Sequence, residues 1–262
     1  MTFVAESLKK EIMNRLKNKV AVITGGNSGI GFGIAEAFKN EGAVGAIVGR
    51  NQDTLNSAVA QLGDNFIAIN ADVTNLADLE RVFAATAEKF GKIDVVVANA
   101  GAGTVGTVAS IGEAEFDKAI DLNLKSVYFT VQKSLPHMND GGSIILIGSN
   151  AAHRAYANFT LYGAAKAAVI YFAKGFSSDL LDRKIRVNVI TPGTTDTPAF
   201  EKFVPAEQIE AVKTHFASVM PTGRIGQPAD IGKTAVFLAS DDSSFLLGAE
   251  LLVDGGLTYL SK

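Results

Sequence analysis

Apolar residues along this chain keep two alternating rhythms. Short runs rich in Val, Ile and Ala, such as Val20-Ala21-Val22-Ile23-Thr24, are apolar throughout. A strand of that kind suits a sheet covered on both faces. Longer segments follow with apolar residues three and four apart, as in Ile30, Ile34, Ala37 and Phe38, the spacing of one helix face. The pattern predicts strands over 20–24, 43–48, 65–70, 93–98, 143–148, 185–190 and 250–253. It predicts helices over 29–41, 52–62, 76–90, 113–138, 157–181 and 229–238.

Strict strand–helix alternation implies an α/β fold, a doubly wound Rossmann-type parallel sheet with helices on both faces. No low-complexity linker divides the chain and no repeat recurs, so residues 13–262 read as a single domain. Residues 194–222 break the alternation. They hold Pro198, Pro205 and Pro221 around a short helical stretch and are expected to lie over the sheet as a lid. Phe200, Phe203, Phe216 and Met220 make that lid apolar. Residues 1–12 read as an N-terminal extension or a non-native leftover, because Met13-Asn14-Arg15-Leu16-Lys17 resembles a natural start.

Composition narrows the chemistry. With 47% hydrophobic and 19% charged residues the chain is globular rather than disordered. A net charge of −3 without a basic run offers nothing to nucleic acid or an anionic membrane. No run reaches the ~18 apolar residues of a membrane span, and a cytoplasmic location is expected. The chain has no cysteine, which excludes disulfides, thiolate nucleophiles and zinc–cysteine centres. His137, His153 and His215 show no ligand spacing, so no metal site is expected.

The first strand runs into Thr24-Gly25-Gly26-Asn27-Ser28-Gly29-Ile30-Gly31, where a helix opens. Glycine permits a tight turn and close approach of a pyrophosphate, and free N–H groups at a helix start attract phosphate charge. The spacing of Gly25, Gly29 and Gly31 is wider than in the common G-x-G-x-x-G. The second strand ends Ile47-Val48-Gly49-Arg50-Asn51. An acidic residue there would hold the ribose hydroxyls of NAD; Arg50 offers instead a fork of donors to a 2′-phosphate. That favours NADP(H) over NAD(H). Ser28 adds no charge, and Asp53 suits the first turn of the next helix.

Ser149 follows the fifth strand, at the edge where open α/β sheets bind ligands. Tyr162-Gly163-Ala164-Ala165-Lys166 lies in the next helix. The i, i+4 separation puts Tyr162 and Lys166 on one face. A neighbouring ammonium is expected to lower the tyrosine pKa toward working pH, fitting Tyr162 for acid/base work on a carbonyl or alcohol.

Together with Ala71-Asp72-Val73, Asn99-Ala100-Gly101, Asn123, Pro192-Gly193, Gly223-Arg224-Ile225-Gly226-Gln227-Pro228 and Val253-Asp254-Gly255-Gly256, these motifs resemble the short-chain dehydrogenase/reductase family from about residue 15 onward. The resemblance implies hydride transfer between a bound nicotinamide and a carbonyl or secondary alcohol. Asn123, Ser149, Tyr162 and Lys166 would be catalytic. Ser149 would orient the substrate oxygen, Tyr162 would exchange the proton, and Lys166 would also hold the nicotinamide ribose. Asn123, a poor helix former expected to kink its helix, would extend a proton relay through Lys166.

Gly25, Asn27, Ser28, Gly29, Ile30 and Gly31 would hold the phosphates and Arg50 the 2′-phosphate. Asp72 with Val73 would meet the adenine. Asn99, Ala100 and Gly101 would line the ribose side and support the sheet. Pro192, Gly193, Thr195 and Thr197 would cradle the carboxamide. One departure is Ala98, where the family often has asparagine; it puts one supporting hydrogen bond in doubt.

The helix over 157–181 is apolar nearly all round, with Phe172 and Phe176 at i, i+4. Such a helix needs cover beyond the sheet, and the resemblance implies a homotetramer. The partner is a small carbonyl or alcohol; 3-oxoacyl thioester, ketone, steroid and sugar substrates stay open. His153 and Arg154 follow Ser149 and could meet a polar substrate or lie in a surface loop. Two other readings remain: an NAD-dependent alcohol or sugar dehydrogenase, and a non-catalytic dinucleotide-sensing scaffold. A lyase or epimerase on the same fold is favoured by nothing in the chain.

Overall fold

The computed structural model describes residues 14–202 and 204–261. The expected extension at 1–12 and the lid residue Phe203 lie outside them. Seven parallel strands form one sheet in the order β3-β2-β1-β4-β5-β6-β7. They are β1 (Val20–Thr24), β2 (Val44–Gly49), β3 (Phe66–Asn70), β4 (Ile93–Ala98), β5 (Met138–Ile147), β6 (Arg186–Pro192) and β7 (Glu250–Val253). Strand order reverses between β1 and β4, which opens a crevice at their carboxyl ends.

Alternation along each strand explains why the strands read as continuously apolar. Val20, Val22, Val96, Ile144, Leu146, Val187 and Val189 enter one core. It is completed by α3 (Leu76–Phe90), α5 (Ser126–Ser134) and α6 (Thr160–Asp179), through Phe83, Val131 and Val169 among others. Ala21, Ile23, Val95, Val97, Ile145, Ile147 and Ile190 enter the other. There they meet α1 (Gly29–Asn40), α2 (Gln52–Leu62) and α8 (Pro228–Ala239), through Ile34, Leu55 and Val236. Both faces are dry, so period two vanishes from the hydropathy pattern.

Three boundaries differ from the sequence expectation by more than two residues. The helix expected over 113–138 is three pieces. α4 (Glu113–Ile120) runs into a π-turn, Asp121–Lys125, then α5, and a 3-10 turn at Leu135–His137 closes it. Pro136 removes an N–H at that end and stops the helix. β5 accordingly starts at Met138, five residues before the expected Ser143, with its register to β4 shifted between Ile93 and Val95. α6 begins at Thr160 rather than Ala157, because Asn158 takes a left-handed φ of 68°. The lid consists of a 3-10 turn (Pro198–Lys202), another at Ala206–Gln208, and α7 (Ile209–Val219). No helix among the described residues is long and apolar enough to cross a membrane.

Candidate active site

A cleft of about 320 Å³ opens at the carboxyl ends of β1, β4, β5 and β6. It brings together glycine-turn residues, Asn99–Gly101, Ser149, Tyr162, Lys166, Gly193 and Thr197.

The glycine end is shaped by exclusion. Gly25 and Gly29 hold φ of 65° and 53°, a region only glycine enters freely. A Cβ on Gly31 would stand 2.1 Å from the Gly25 carbonyl oxygen and 2.5 Å from Asn99 Nδ2. No side chain there fits. Ser28, at the N-cap of α1, makes no side-chain capping bond. The first N–H groups of α1 therefore remain for an anion. A close-approach cradle with helix N–H donors fits the pyrophosphate of a dinucleotide.

Thr24 holds this turn against β4. Its Oγ1 donates to Val97 O at 3.2 Å and accepts from Asn99 N and Ala100 N at 3.0 and 3.1 Å. Asn99 Nδ2 donates to Thr24 O at 2.8 Å and Gly25 O at 3.2 Å. The Asn99 side chain thus supports the turn, and Ala100 and Gly101 continue the cleft wall. Ala98 sits in the core. Among the described residues the buried side-chain polar atom without a partner is Thr258 Oγ1, not one beside Ala98, so the missing asparagine leaves no exposed debt in the core.

The residues expected at the nucleoside end lie outside this cleft. Asn27 Nδ2 donates to Thr54 Oγ1 at 2.8 Å, and its Oδ1 crowds Gly49. Arg50 is 67% exposed, with Nη1 3.8 Å from Asp72 Oδ2. Asp72 Oδ1 accepts from Thr74 N and Oγ1 at 2.9 and 2.8 Å, and Val73 packs in the core. Thr195 does not line the cleft either. Its Oγ1 donates to Gly193 O at 3.1 Å, and its backbone bridges to Gly226. Thr197 does line it, and its methyl side faces Gly29.

At the other end, Ser149 and Tyr162 line the same part of the cleft, and the Ser149 hydroxyl acts on the Tyr162 hydroxyl. Ser149 Oγ also accepts from Ala151 N at 3.2 Å, capping the 3-10 turn Asn150–Ala152. Lys166 is 3% exposed and its Nζ donates to Ile147 O at 2.9 Å. The Nζ lies 5.8 Å from the centre of the Tyr162 ring. Burial pulls the Lys166 ammonium down to about 8. Burial also pushes the Tyr162 hydroxyl up, against the smaller lowering effect of the Ser149 hydroxyl. The expected lowering of Tyr162 by Lys166 is thus reversed in the protein alone: desolvation of the phenolate is the largest effect, and the influence opposing it comes from Ser149 and not from the lysine, 5.8 Å from the ring centre.

Asn123 sits in the π-turn, buried behind the cleft wall. Its Nδ2 donates to Ala119 O at 3.0 Å, and its Oδ1 accepts from Ala102 N at 3.0 Å. A Cβ on Gly101 would lie 3.0 Å from Asn123 Oδ1 and 3.4 Å from Lys166 Nζ. Gly101 thereby lets Asn123 and Lys166 gather at one point.

Reasoning from the sequence missed Thr24 as the organiser of the glycine turn; its signal was a hydroxyl ending an apolar strand. It also missed a second cavity of about 920 Å³ between His153, Arg154 and Tyr156, the lid residues His215 and Phe216, and the segment Leu257–Ser261. The lid connects the two, since Ala199 lines the cleft while Phe200 packs edge-on to Phe216 at 6.2 Å. Met220 is buried and lines neither of these two cavities. The described residues contain no cluster of side chains able to hold a metal ion.

A family model described as Enoyl-(Acyl carrier protein) reductase matches residues 25–258. The chain is 41% identical over 250 residues to "Oxidoreductase asL5" of Sarocladium schorii, covering 95% of this chain and 99% of that protein. It is 36% identical to the NADP-dependent (R)-specific alcohol dehydrogenase of Lentilactobacillus kefiri, covering 94% and 98%. Among solved structures, Levodione Reductase superposes with a TM-score of 0.87 at 31% identity, covering 92% and 98%.

Proposed function

The chain belongs to the short-chain dehydrogenase/reductase family, and from that premise we propose an NADP(H)-preferring oxidoreductase that interconverts a ketone and a secondary alcohol with Tyr162 as acid/base. Oxidoreduction at a carbonyl or CH–OH centre is the family's activity in this chain's relatives. The observation carrying the assignment is that Ser149, Tyr162 and the buried Lys166 line the same cleft as the glycine cradle.

Gly25, Ser28, Gly29, Ile30 and Gly31 would hold the pyrophosphate, with Asn27 bracing the turn toward Thr54. Asp72 and Val73 mark the adenine end. Ala100, Gly101 and Lys166 would flank the nicotinamide ribose, and Pro192, Gly193 and Thr197 the carboxamide. When bound, the nicotinamide dinucleotide supplies or receives the hydride.

The chain's own residues handle the proton and the charge. Ser149 Oγ already accepts from Ala151 N, and its single hydroxyl hydrogen remains to donate to a partner oxygen. A substrate oxygen between Ser149 and Tyr162 receives two donors, which stabilise the developing oxyanion. Tyr162 gives up its proton there during reduction and takes one back during oxidation. Lys166, half-titrated near pH 8, is poised to resupply Tyr162. Asn123 holds the backbone of Ala102 behind Lys166.

NADP(H) preference rests on Arg50. Its contact with Asp72 is long and exposed, and such pairs contribute little, which leaves the guanidinium available to a 2′-phosphate. The Lentilactobacillus relative, an NADP-dependent alcohol dehydrogenase, supports the same reading. A homotetramer is proposed from α6, whose Tyr171 is 69% exposed beside the Tyr128–Phe172–Phe176 ring cluster.

Fluorescence titration with NADPH and NADH, followed by a screen of ketones with the tighter cofactor, tests the proposal. Tighter NADPH binding and ketone-dependent NADPH oxidation are expected. Preference for NADH would demote Arg50 to a loop residue. Binding without turnover of any carbonyl would favour a dinucleotide-sensing scaffold.

A further inference from the structure

Glu250 is on β7, the last strand, and none of the cleft residues depends on it in the mechanism above. Its Oε1 nevertheless gathers two donors. Thr191 Oγ1 donates to it at 2.5 Å and His153 Nε2 at 2.6 Å. A carboxylate only accepts, so both partners must present hydrogens, and His153 carries its proton on Nε2. One oxygen thus ties together β6, β7 and the loop after β5.

That loop holds Ser149. Thr191 is fully buried on β6 and lies directly under Gly148, where a Cβ would stand 2.7 Å from Thr191 Oγ1. Gly148 N donates to Ile190 O at 2.8 Å, and the next residue is Ser149. His153 lies at the opposite end of the same short turn: it is the C-cap of Asn150–Ala152, whose N-cap is Ser149. His153 N donates to Asn150 O, and Ala152 N to Ser149 O, both at 3.0 Å. Glu250 therefore grips the turn from beneath its start and at its finish.

We infer that Glu250 is a positioning residue for Ser149, acting through Thr191 and His153 to hold the serine hydroxyl against Tyr162. This rests on the oxidoreductase reading for its catalytic consequence. Its structural consequence stands apart, because Ser149 caps its turn and shares the cleft wall with Tyr162 in the protein alone.

The remaining charged and titratable groups at this place are few. Tyr259 lies beside the His153 ring at 6.3 Å between centres. Arg154 donates to Leu257 O at 3.2 Å and lies over the Tyr156 ring. Neither bonds Glu250, and no second carboxylate bonds His153 or Thr191 among the described residues.

The test is a pH titration of tyrosinate absorbance in the cofactor-free wild type, Glu250→Ala and Glu250→Gln. Each is compared with its Tyr162→Phe counterpart, which isolates one of the five tyrosines. The Ser149 hydroxyl lowers the Tyr162 pKa, so loosening Ser149 makes Tyr162 ionise at higher pH in Glu250→Ala. Glu250→Gln, whose amide oxygen still accepts both donors, restores the wild-type midpoint.

With NADPH and a ketone, kcat falls about 10- to 100-fold in Glu250→Ala while NADPH affinity stays within about twofold. His153→Ala moves both readouts in the same direction and keeps the test alive if Glu250→Ala fails to fold. An unmoved Tyr162 midpoint in Glu250→Ala and His153→Ala overturns the inference. So does a loss of kcat that only follows losses of melting temperature and NADPH affinity. A wild type that reduces no carbonyl, with the Tyr162 shift still present, overturns the oxidoreductase reading alone.

Discussion

Lys166 sends its ammonium to a backbone carbonyl, Ile147 O at 2.9 Å, and makes no salt bridge to a carboxylate among the described residues. One neutral acceptor does not offset the loss of water around a buried cation. The lysine therefore releases its proton near pH 8, against an ordinary value of 10.5. Between these two values the unfolded chain binds more protons than the folded one, so stability rises with pH across that window. The shift corresponds to about 3 kcal/mol. Melting temperature of the cofactor-free protein should climb from pH 8 toward 10 relative to Lys166→Met, which removes the titration. Parallel curves for the two proteins would remove the argument.

Tyr162→Phe deletes one oxygen and keeps the ring that packs edge-on against Phe159 at 6.2 Å. Turnover should fall by about 10²- to 10⁴-fold. Ser149→Ala removes the second donor and should cost about 10²- to 10³-fold. NADPH binding by both variants should stay close to wild type. Steady-state rates together with cofactor titrations check this, and a Tyr162→Phe enzyme of near-normal rate would require another proton donor.

Arg50→Gln should weaken NADPH about tenfold or more while leaving NADH nearly unchanged, since a guanidinium contributes only where the 2′-phosphate is present. The wild-type preference should also shrink as salt rises, because the residue is exposed. Equal losses for both cofactors would mean that Arg50 shapes the loop and not the phosphate site.

Two glycines predict opposite outcomes. Gly31→Ala forces a methyl to 2.1 Å from Gly25 O, and overpacking of this kind costs about 3 kcal/mol or more; cofactor binding should disappear with it. Gly175 lies inside α6, and a Cβ there meets nothing within 4 Å. Gly175→Ala should add about 0.5–1 kcal/mol through helix propensity. Thermal melts with and without NADPH distinguish the two.

Light scattering should give a mass of four copies, and Tyr171→Glu should lower it by charging the outer face of α6. A monomeric wild type would leave Tyr171 and Tyr128 as solvent-facing aromatics only.

Most of the architecture could be read from hydropathy because both sheet faces are dry. The strand Val20–Thr24 and the helices Gln52–Leu62 and Leu76–Phe90 have the expected ends. The long helix over 113–138 could not be divided in the same way. Apolar spacing registers which residues face the core, whereas the π-turn at Asp121–Lys125 is set by Asn123, whose amide reaches back to Ala119 O and across to Ala102 N. The second bond joins segments far apart in sequence and leaves no local trace. The Tyr162–Lys166 spacing was legible. The direction of the Tyr162 shift was not, since it depends on how much water reaches the phenol. Arg50 was visible as a charge, but its looseness against Asp72 is a property of two strand ends meeting.

The bonds around Thr24 have a consequence for how the chain acquires its fold. Asn99 reaches Thr24 across 75 positions of sequence, and β1 finds β4 as its neighbour only after two complete strand–helix units have passed. A nascent chain ending before β4 carries every glycine of the turn and Thr24, but not Asn99 and Ala100, which tie the turn to the centre of the sheet. Contacts of such long sequence separation form late and slowly. The dinucleotide can therefore act as a folding ligand only after the centre of the sheet has closed, drawing the equilibrium toward the native state by mass action from the final steps of assembly.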